Sequence, residues 1–425
     1  MDIDRKTAFA VLLDIEKSEA FSNLALNRRI AENQPQNQAF VRELVYGLLK
    51  YKLLLDYQLD RLVKTGVRKL KKQDLTLLRM GMYQLIFMDS VPEYAAVSET
   101  VQMAKKYARG RESFINAVLR SFIRSGRKLQ LPDRAQDTVG YLSVAYSAAP
   151  WIVRLWMDAY GEQETETLLA ASNQTPELCV RVNPLRTTAA QLTEELRGAG
   201  FLVKPAPHTA HALLVRGSGL LATEAYLRGC FSVQDEASIL VADAVGAQPG
   251  ETVLDVCAAP GGKSLAMAEQ MENRGALLAM DLYEHKLSLI EKHAQSAGIT
   301  IVQTRCHDSR ECLETYIGCA DRVLADVPCS GLGVLRRKPE IKYKETSELT
   351  ELVKIQKQIL AAAAAYVKPG GTLVYSTCTI NPAENDRQTA AFLAAHEEFH
   401  KTEEQQFLPQ MGMDGLYYCK MKRAE

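Results

Sequence analysis

Apolar residues recur at helical spacing through the first 130 residues of the chain. The clearest stripes lie at residues 8–15, 41–48 and 114–122, where apolar side chains follow one another at three or four positions. This spacing places them on one face of a helix, and several such helices can bury those faces against one another. The pattern predicts an all-helical bundle over residues 1–130 and a helical linker over residues 131–176.

The pattern changes after Pro176. Short apolar runs at residues 179–182, 201–204 and 213–216 predict strands, and residues 189–197 predict a helix between the first two of them. A small α+β module is therefore expected over residues 177–235.

From residue 236 to residue 425, short apolar strands alternate with longer helical stretches. This alternation is typical of a parallel sheet covered by helices on both faces, so a Rossmann-like α/β domain is expected. The candidate strands are residues 252–256, 276–280, 300–304, 322–325 and 372–375. In such sheets ligands bind beyond the carboxyl ends of the strands, which is where chemistry is expected.

Composition excludes several classes of protein. The chain has 425 residues, 47% of them hydrophobic and 24% charged, which predicts a globular protein of more than one domain. Its longest apolar run, residues 359–367, is far shorter than the roughly 20 residues of a membrane helix. Charged and apolar residues alternate over residues 2–19, so we do not expect secretion, and nine scattered cysteines suggest free thiols. We expect a cytoplasmic monomer.

The net charge of zero conceals two unlike parts. Residues 1–140 hold 24 Lys and Arg against 16 Asp and Glu, a net charge of +8, so the balanced chain carries −8 elsewhere. The basic residues cluster at residues 64–72, 105–111 and 120–127. Such clusters favour contact with RNA or DNA over the alternative of an ordinary solvated surface.

The loop after the first strand of the α/β domain has the composition of a cofactor loop. Residues 255–264 include adjacent glycines and run directly into a predicted helix. Glycines let the backbone approach a ligand, and free amides at a helix start favour an anionic group. The alternative, a phosphate-binding P-loop, requires a glycine where Cys257 stands, so a nucleotide triphosphatase is disfavoured.

Acidic residues follow the next two strands. Asp281 ends the second strand, where a carboxylate receives ribose hydroxyls in doubly wound folds, and Asp308 follows the third, where it could accept a hydrogen bond from an adenine amine. A single acid in such a place is often only a helix cap or a turn residue. Together the two predict an adenosine pocket.

Two cysteines and a carboxylate follow the fourth and fifth strands. Asp326 and Cys329 follow one strand and Cys378 follows the other, so the three converge if the strands are neighbours. This arrangement predicts a reaction centre. We expect Cys179, Cys230 and Cys419 to be small buried apolar residues instead. A zinc site at Cys306, His307, Cys312 and Cys319 matches no finger spacing, and no metal is expected.

These motifs resemble the RNA cytosine-5 methyltransferases that use S-adenosylmethionine. The resemblance lies in Cys-Ala-Ala-Pro-Gly-Gly-Lys at 257–263, Asp-Val-Pro-Cys-Ser-Gly at 326–331 and Ser-Thr-Cys at 376–378, with matches at 181–184, 232–238 and 414–417. The stretches at 91–106 and 114–120 resemble NusB-like RNA-binding domains. The whole chain is similar to bacterial 16S ribosomal RNA enzymes of the Sun or Fmu type. Ser264 replaces a common threonine, and Leu416 replaces a usual aromatic residue.

The resemblance implies a function and a set of site residues. The substrate would be 16S rRNA, Cys378 the thiol that attacks the cytosine ring, and Cys329 the thiol that assists release. Asp326 and Lys263 would stabilise the adduct. The residues expected to bind the cofactor are Cys257, Ala258, Ala259, Pro260, Gly261, Gly262, Lys263, Asp281, Asp308 and Asp326.

Two alternatives belong to other functional classes. In a non-catalytic RNA-binding factor, the cofactor fold would only stabilise the chain, but a scaffold has no need of two thiols at strand ends. In a DNA cytosine methyltransferase, Cys329 in the Pro-Cys turn would be the nucleophile. The additional Thr-Cys turn and the basic bundle favour an RNA substrate.

Overall fold

The structure is a computed structural model that describes residues 2–18 and 22–425. These residues form two compact units. Unit 1 comprises residues up to Asn173 together with Leu335–Lys344, and unit 2 comprises Gln174–Val334 and Glu345–Glu425. The finer boundaries at residues 130, 176 and 235 stay a prediction.

Unit 1 is helical, as its apolar stripes predict. The helices within residues 3–124 pack around one core, and the helix at 72–87 lies at its centre with residues of every face buried, including the charged residues Asp74 and Arg79. A helix buried on all sides is the interior member of a bundle. The helices are α1 Ile3–Ser18, α2 Ser22–Asn33, α3 Gln38–Lys50, α4 Lys52–Leu62, α5 Lys72–Phe87, α6 Glu93–Tyr107, α7 Glu112–Arg124, α8 Thr138–Tyr146, α9 Pro150–Tyr160 and α10 Glu162–Ser172.

The short segment Leu335–Lys344 completes unit 1, although it is encoded within the sequence of unit 2. The Tyr343 hydroxyl donates a hydrogen bond to the carbonyl of Leu49 at the end of α3. The Glu340 carboxylate accepts hydrogen bonds from the amide of Ser22, at 3.1 Å, and from its hydroxyl, at 2.8 Å. The last turn of one helix and the first turn of another are therefore satisfied by this segment.

Unit 2 begins with the predicted α+β module. Four antiparallel strands stand in the order β2-β3-β1-β4, with two helices beside them. The elements are β1 Leu178–Val182, α11 Ala189–Gly198, β2 Leu202–Pro205, β3 Ala212–Arg216, α12 Glu224–Leu227 and β4 Phe231–Val233.

The rest of unit 2 is a seven-stranded sheet with helices, which confirms the Rossmann-like fold. Its order is β10-β11-β9-β8-β5-β6-β7, in which β9, β8, β5, β6 and β7 are parallel and the other two strands are antiparallel. The elements are α13 Glu236–Val245, β5 Thr252–Asp255, α14 Gly262–Gln270, β6 Ala276–Asp281, α15 Glu284–Ala297, β7 Val302–Cys306, β8 Ala320–Asp326, α16 Leu349–Tyr366, β9 Val367–Thr377, α17 Asp386–Ala395, β10 Phe399–Gln406 and β11 Tyr417–Arg423.

Two features of this sheet matter for the site. The chain order of the strands reverses between β5 and β8, which creates a crevice beyond their carboxyl ends. The strands β8 and β9 are neighbours, and their register pairs Asp326 with Ser376. The expected third strand, 300–304, begins two residues later than its apolar pattern indicates, at Val302.

Within the part of the chain that the structure describes, no helix is long and apolar enough to cross a membrane.

Candidate active site

The cofactor loop is held on both sides by the sheet. The amide of Val256 donates to the carbonyl of Leu324 on β8 at 3.0 Å, and the amide of Ala258 donates to the carbonyl of Met280 on β6 at 2.8 Å. Gly261 has a φ of +100°, a conformation that favours glycine and directs the chain into α14. The loop therefore has a defined path between β5 and the start of α14.

The start of α14 and the end of β6 offer the groups that S-adenosylmethionine needs. No described side chain caps α14, so its first amides are available to the carboxylate of a ligand. The Asp281 carboxylate accepts from the amides of Ala259, at 3.2 Å, and Tyr283, at 3.1 Å, which directs it toward the loop. Beside it, Leu282 and Tyr283 are half exposed and present apolar surface. The free amides of α14, the Asp281 carboxylate and the two apolar side chains together fit S-adenosylmethionine.

Asp308 has a partner that the sequence analysis did not foresee. Its carboxylate is bound in bidentate fashion by the Arg310 guanidinium, with contacts between 2.5 and 3.0 Å. These hydrogen bonds hold the pKa of Asp308 below its usual value. A ligand amine would therefore share this carboxylate with Arg310, and the role of Asp308 stays a prediction.

A partly buried ion pair lies between the cofactor loop and β8. The Lys263 ammonium is 2.6 Å from Asp326 Oδ2, and Ser376 Oγ donates to Asp326 Oδ1 at 2.7 Å. Burial disfavours the ammonium, but the neighbouring carboxylate outweighs burial and holds the pKa of Lys263 above its usual value. The site therefore contains a fixed cation.

The turns after β8 and β9 bring two thiols together. The sulfur atoms of Cys329 and Cys378 are 3.1 Å apart, and the Cys378 amide donates to the Cys329 sulfur at 3.2 Å. The expected convergence of Asp326, Cys329 and Cys378 is confirmed in position by the pairing of β8 with β9. Their chemical roles stay a prediction. The hydrogen bond with Cys378, together with burial, raises the pKa of the Cys329 thiol well above its usual value.

Two further acidic groups in the site are affected by burial. Asp255 is fully buried, which raises its pKa to about 7 although the Ser264 hydroxyl donates to it at 2.6 Å. Burial also raises the pKa of the Cys257 thiol well above its usual value. Cys257 therefore stays a neutral thiol at ordinary pH, unlike a reactive cysteine.

Sequence reasoning missed two residues that support the site. Arg181 on β1 forms a buried ion pair with Glu269 on α14, at 2.8 Å, and donates to the carbonyl of Gly262 in the first turn of that helix, also at 2.8 Å. Glu384 is buried after β9 and accepts hydrogen bonds from Ser330. The motif at 181–184 signalled that Arg181 matters, but nothing in the sequence signalled these partners.

The remaining cysteines behave as small side chains. Cys179, Cys230 and Cys419 are buried, as expected. Among the described residues, no three His, Cys, Asp or Glu side chains are placed to hold a metal ion. The exposed thiols of Cys306, Cys312 and Cys319 form no such group.

Comparison with protein families assigns all three parts of the chain. The model described as 16S rRNA methyltransferase RsmB/F matches residues 242–422, and the NusB family model matches residues 2–124. The ferredoxin-like domain of RsmF/B-like methyltransferases matches residues 149–219. The expected NusB-like bundle, small α+β module and methyltransferase domain are thereby confirmed.

Relatives match nearly the whole chain. The probable ribosomal RNA small subunit methyltransferase B of Bacillus subtilis is 37% identical, over 99% of this chain and 98% of its own length. The ribosomal RNA small subunit methyltransferase B of Vibrio cholerae is 31% identical, over 100% of this chain and 98% of its own. The solved structure of PH0851 shares the fold, with a TM-score of 0.85, 24% identity and coverage of 99% and 98%. The chain therefore belongs to the RsmB/F family of 16S rRNA methyltransferases, and its methyl donor is S-adenosylmethionine.

Proposed function

We propose that this chain methylates carbon 5 of a cytosine in 16S rRNA through a covalent adduct between Cys378 and carbon 6 of the base. The observation that carries the proposal is the pair of thiols, 3.1 Å apart, beside the partly buried Lys263–Asp326 ion pair. The names of the relatives support small-subunit rRNA as the substrate. Monomeric action remains part of the proposal.

A thiol is needed because carbon 5 of cytosine is a weak nucleophile. Addition of the Cys378 thiolate to carbon 6 moves electron density onto carbon 5 and allows it to accept a methyl group. The Lys263 ammonium acts on Cys378 through its charge, and a nearby cation favours the thiolate. Bound S-adenosylmethionine supplies the methyl group from its sulfonium centre.

The ion pair is suited to stabilise the charge that attack places on the base. Electron density reaches ring nitrogen 3 and the exocyclic amine, where a hydrogen-bonded carboxyl and ammonium can hold a proton. Asp326 is already oriented by Ser376, so little reorganisation is needed when the base arrives. We assign this role to Asp326 with Lys263.

Release requires a base to take the proton of carbon 5, and solvent water can be that base. The electron pair left behind re-forms the double bond between carbons 5 and 6 and breaks the bond from carbon 6 to the Cys378 sulfur. The Cys329 thiol lies within hydrogen-bond distance of Cys378, so it can stabilise the departing thiolate. This assigns attack to one cysteine and release to the other.

The substrate must present an unstacked base, because carbon 6 is inaccessible within a duplex. Unit 1 offers a surface for the surrounding RNA, since its clustered basic residues point to solvent. The exposed members are Lys64, Arg68, Lys69, Lys71, Lys72, Lys105, Lys106, Arg109, Arg120, Arg124 and Arg127. Contacts of this kind release counterions, so RNA affinity should fall steeply as salt rises.

The decisive experiment compares single cysteine variants on ribosomal RNA. Cys378→Ala should abolish methylation and form no adduct, because nothing adds to the ring. Cys329→Ala should attack and methylate but release poorly, leaving protein bound to RNA on a denaturing gel. Cys319→Ala, which removes an exposed thiol elsewhere, is the matched control and should behave as the unaltered protein.

The opposite pattern, with adducts from Cys378→Ala and none from Cys329→Ala, would transfer the nucleophile to the Pro-Cys turn. Bisulfite sequencing of ribosomal RNA with and without the gene then identifies the base and its position. If no cytosine of the ribosomal RNA resists bisulfite conversion in a manner that depends on the gene, the proposed chemistry is refuted.

A further inference from the structure

A buried arginine of the α+β module reaches the helix that follows the cofactor loop. The side chains of Arg181 on β1 and Glu269 on α14 are each 3% exposed. The guanidinium binds the carboxylate in bidentate fashion, through Nε at 2.8 Å and one terminal nitrogen at 2.8 Å. Its other terminal nitrogen donates to the carbonyl of Gly262 at 2.8 Å and to the side-chain oxygen of Gln234. Every nitrogen of the guanidinium therefore has a partner, and two of the three partner residues belong to α14.

These contacts hold α14 near both of its ends. Gly262 is the first residue of the helix and Glu269 is the last but one, and a separation of seven positions places them on one face. A guanidinium is planar, and its donors point in fixed directions, so it satisfies both contacts only when the helix lies in one place. Arg181 therefore fixes the rotation of α14 and its position along its axis.

The first turn of α14 is the part of the helix that the cofactor needs. Gly261 directs the chain into it, and no described side chain caps its first amides. A shift of this turn would move the amides away from the carboxylate of a ligand. The carboxylate expected to bind the ribose, Asp281, is held instead by the amides of Ala259 and Tyr283, which lie outside the helix. The two ends of the cofactor should therefore respond differently to the loss of Arg181.

We propose that Arg181 is a positioning residue for S-adenosylmethionine, which fixes the first turn of α14 so that its amides meet the carboxylate of the cofactor. Arg181 acts through Gly262 and the helix behind it. The α+β module thereby contributes to the cofactor site of the neighbouring sheet. The inference uses the methyl donor of the family and none of the roles proposed for Cys329 and Cys378, so failure of the covalent mechanism would leave it standing.

The test is calorimetry of the full chain with two ligands and without RNA. S-adenosylmethionine carries a carboxylate, whereas methylthioadenosine has the same adenosine and sulfur atom but no amino-acid group. In Arg181→Met the affinity for S-adenosylmethionine should fall at least about tenfold, because a hydrogen bond to a charged group contributes at least about that factor. The affinity for methylthioadenosine should stay within about twofold, which also shows that the variant is folded. Equal weakening of both ligands, or of neither, would overturn the proposal.

The matched control is Arg216→Met. Arg216 lies on β3, the strand paired with β1, and its side chain is 70% exposed. Its removal takes the same positive charge from the same sheet without touching α14. Both ligands should bind this variant as they bind the unaltered protein.

A double variant separates positioning from a general contribution to stability. Arg181→Met leaves Glu269 as a buried charge without its cation, which destabilises the fold. Arg181→Met combined with Glu269→Leu removes that charge and replaces the ion pair with apolar side chains. Because neither contact of the guanidinium with α14 is restored, the selective loss of S-adenosylmethionine affinity should persist. Recovery of this affinity to within about twofold of the unaltered protein would overturn the proposal and leave Arg181 a role in stability alone. The double variant decides in the same way if the single variant does not fold.

Discussion

Two lysines that are largely shielded from solvent, one in each unit, show opposite ways of accommodating an ammonium group. In unit 2 the Lys263 side chain is 12% exposed and ion-paired with Asp326, and its pKa is raised. In unit 1, Lys342 is 1% exposed, and its hydrogen bonds to described residues go only to neutral oxygens, those of the Asn173 side chain and of the Tyr146 and Lys50 carbonyls. Burial, reinforced by the charge of Lys50, lowers the pKa of Lys342 to about 7.

The two lysines show that carbonyl oxygens can satisfy the hydrogen bonds of an ammonium group without keeping it protonated. An ammonium group that is surrounded only by neutral dipoles lacks an opposite charge to offset the free-energy cost of its desolvation. It therefore loses its proton at a lower pH. A carboxylate partner keeps the proton in place. The paired lysine is therefore suited to stabilise negative charge in the active site. The unpaired lysine is a titratable group within the folded structure of unit 1.

Removal of the paired lysine should have the largest effect. Lys263→Met should lower the single-turnover rate of methyl transfer about 10³-fold, equivalent to about 4 kcal/mol, because the charge beside the base and Cys378 is lost. Labelled methyl incorporation into ribosomal RNA measures this rate. Lys292→Met, which removes an exposed lysine, is the control. A loss of less than tenfold would show that pairing with Asp326 is not what makes a lysine catalytic.

A paired cation in unit 1 tests whether pairing also governs stability. The Arg79 side chain is 6% exposed and lies 2.6 Å from Asp56, with Glu16 as a second partner. Arg79→Met should lower the free energy of unfolding by about 3–5 kcal/mol, because it leaves the Asp56 carboxylate without its cation and leaves Glu16 only the more distant Lys52, at 3.8 Å. Urea unfolding followed by circular dichroism measures it, with the exposed Arg120→Met as control. A change below about 1 kcal/mol would contradict the expectation.

Substitution of the unpaired lysine should instead change how stability depends on pH. The unfolded chain holds the Lys342 proton up to its ordinary pKa of 10.5, whereas the folded chain loses it above about 7. Unfolding therefore takes up a proton in this interval, and the free energy of unfolding rises by about 1.4 kcal/mol per pH unit. The contribution is about 2 kcal/mol from pH 7.5 to 9 and constant below pH 7.

Lys342→Met should lack this rise and be at least as stable as the unaltered chain at pH 7. Urea unfolding of both proteins at pH 6.5, 7.5 and 9 isolates the contribution, since other titrating groups cancel in the difference. Parallel stability curves would mean that Lys342 keeps its charge when folded.

The smallest effect concerns the segment that carries Lys342. Glu340→Gln should weaken the first turn of α2 by about 1 kcal/mol, because a neutral amide replaces the carboxylate that accepts both hydrogen bonds of Ser22 at a helix start. Hydrogen exchange at the amides of α2 should become faster, while exchange in α7 stays unchanged. Equal protection of α2 in both proteins would show that the charge contributes nothing.

Much of the site could be predicted because its residues follow strand ends. Asp281 and Asp326 come directly after apolar runs, Cys378 comes three positions after one, and parallel strands bring their carboxyl ends to one edge. Nothing comparable marks Glu384, whose partner Ser330 lies 54 positions away. The burial of Lys342 could not be predicted either, because this residue stands between an apolar and an aromatic residue in a segment without a regular hydrophobic pattern.

The strand β7 illustrates a different limit. It is the last strand of the sheet, and most of its side chains face solvent, so polar residues such as Gln303 and Arg305 are tolerated. Three of the four residues at 299–302 are apolar, and for this reason the strand was expected to begin too close to the N-terminus. The first and last residues of an edge strand are determined by its hydrogen bonds to the neighbouring strand. These hydrogen bonds cannot be predicted from the hydrophobic pattern.

The discontinuity of unit 1 has a consequence for the order of events during synthesis. Residues up to Asn173 leave the ribosome long before Leu335–Lys344, which supply Glu340, Lys342 and Tyr343 to the same unit. Domains ordinarily fold from the N-terminus as they emerge. Here the first unit to begin folding must wait until about four fifths of the chain has been translated before its last contacts can form. A nascent chain stalled before residue 335 would expose the sites at the ends of α3 and α8 that this segment later covers.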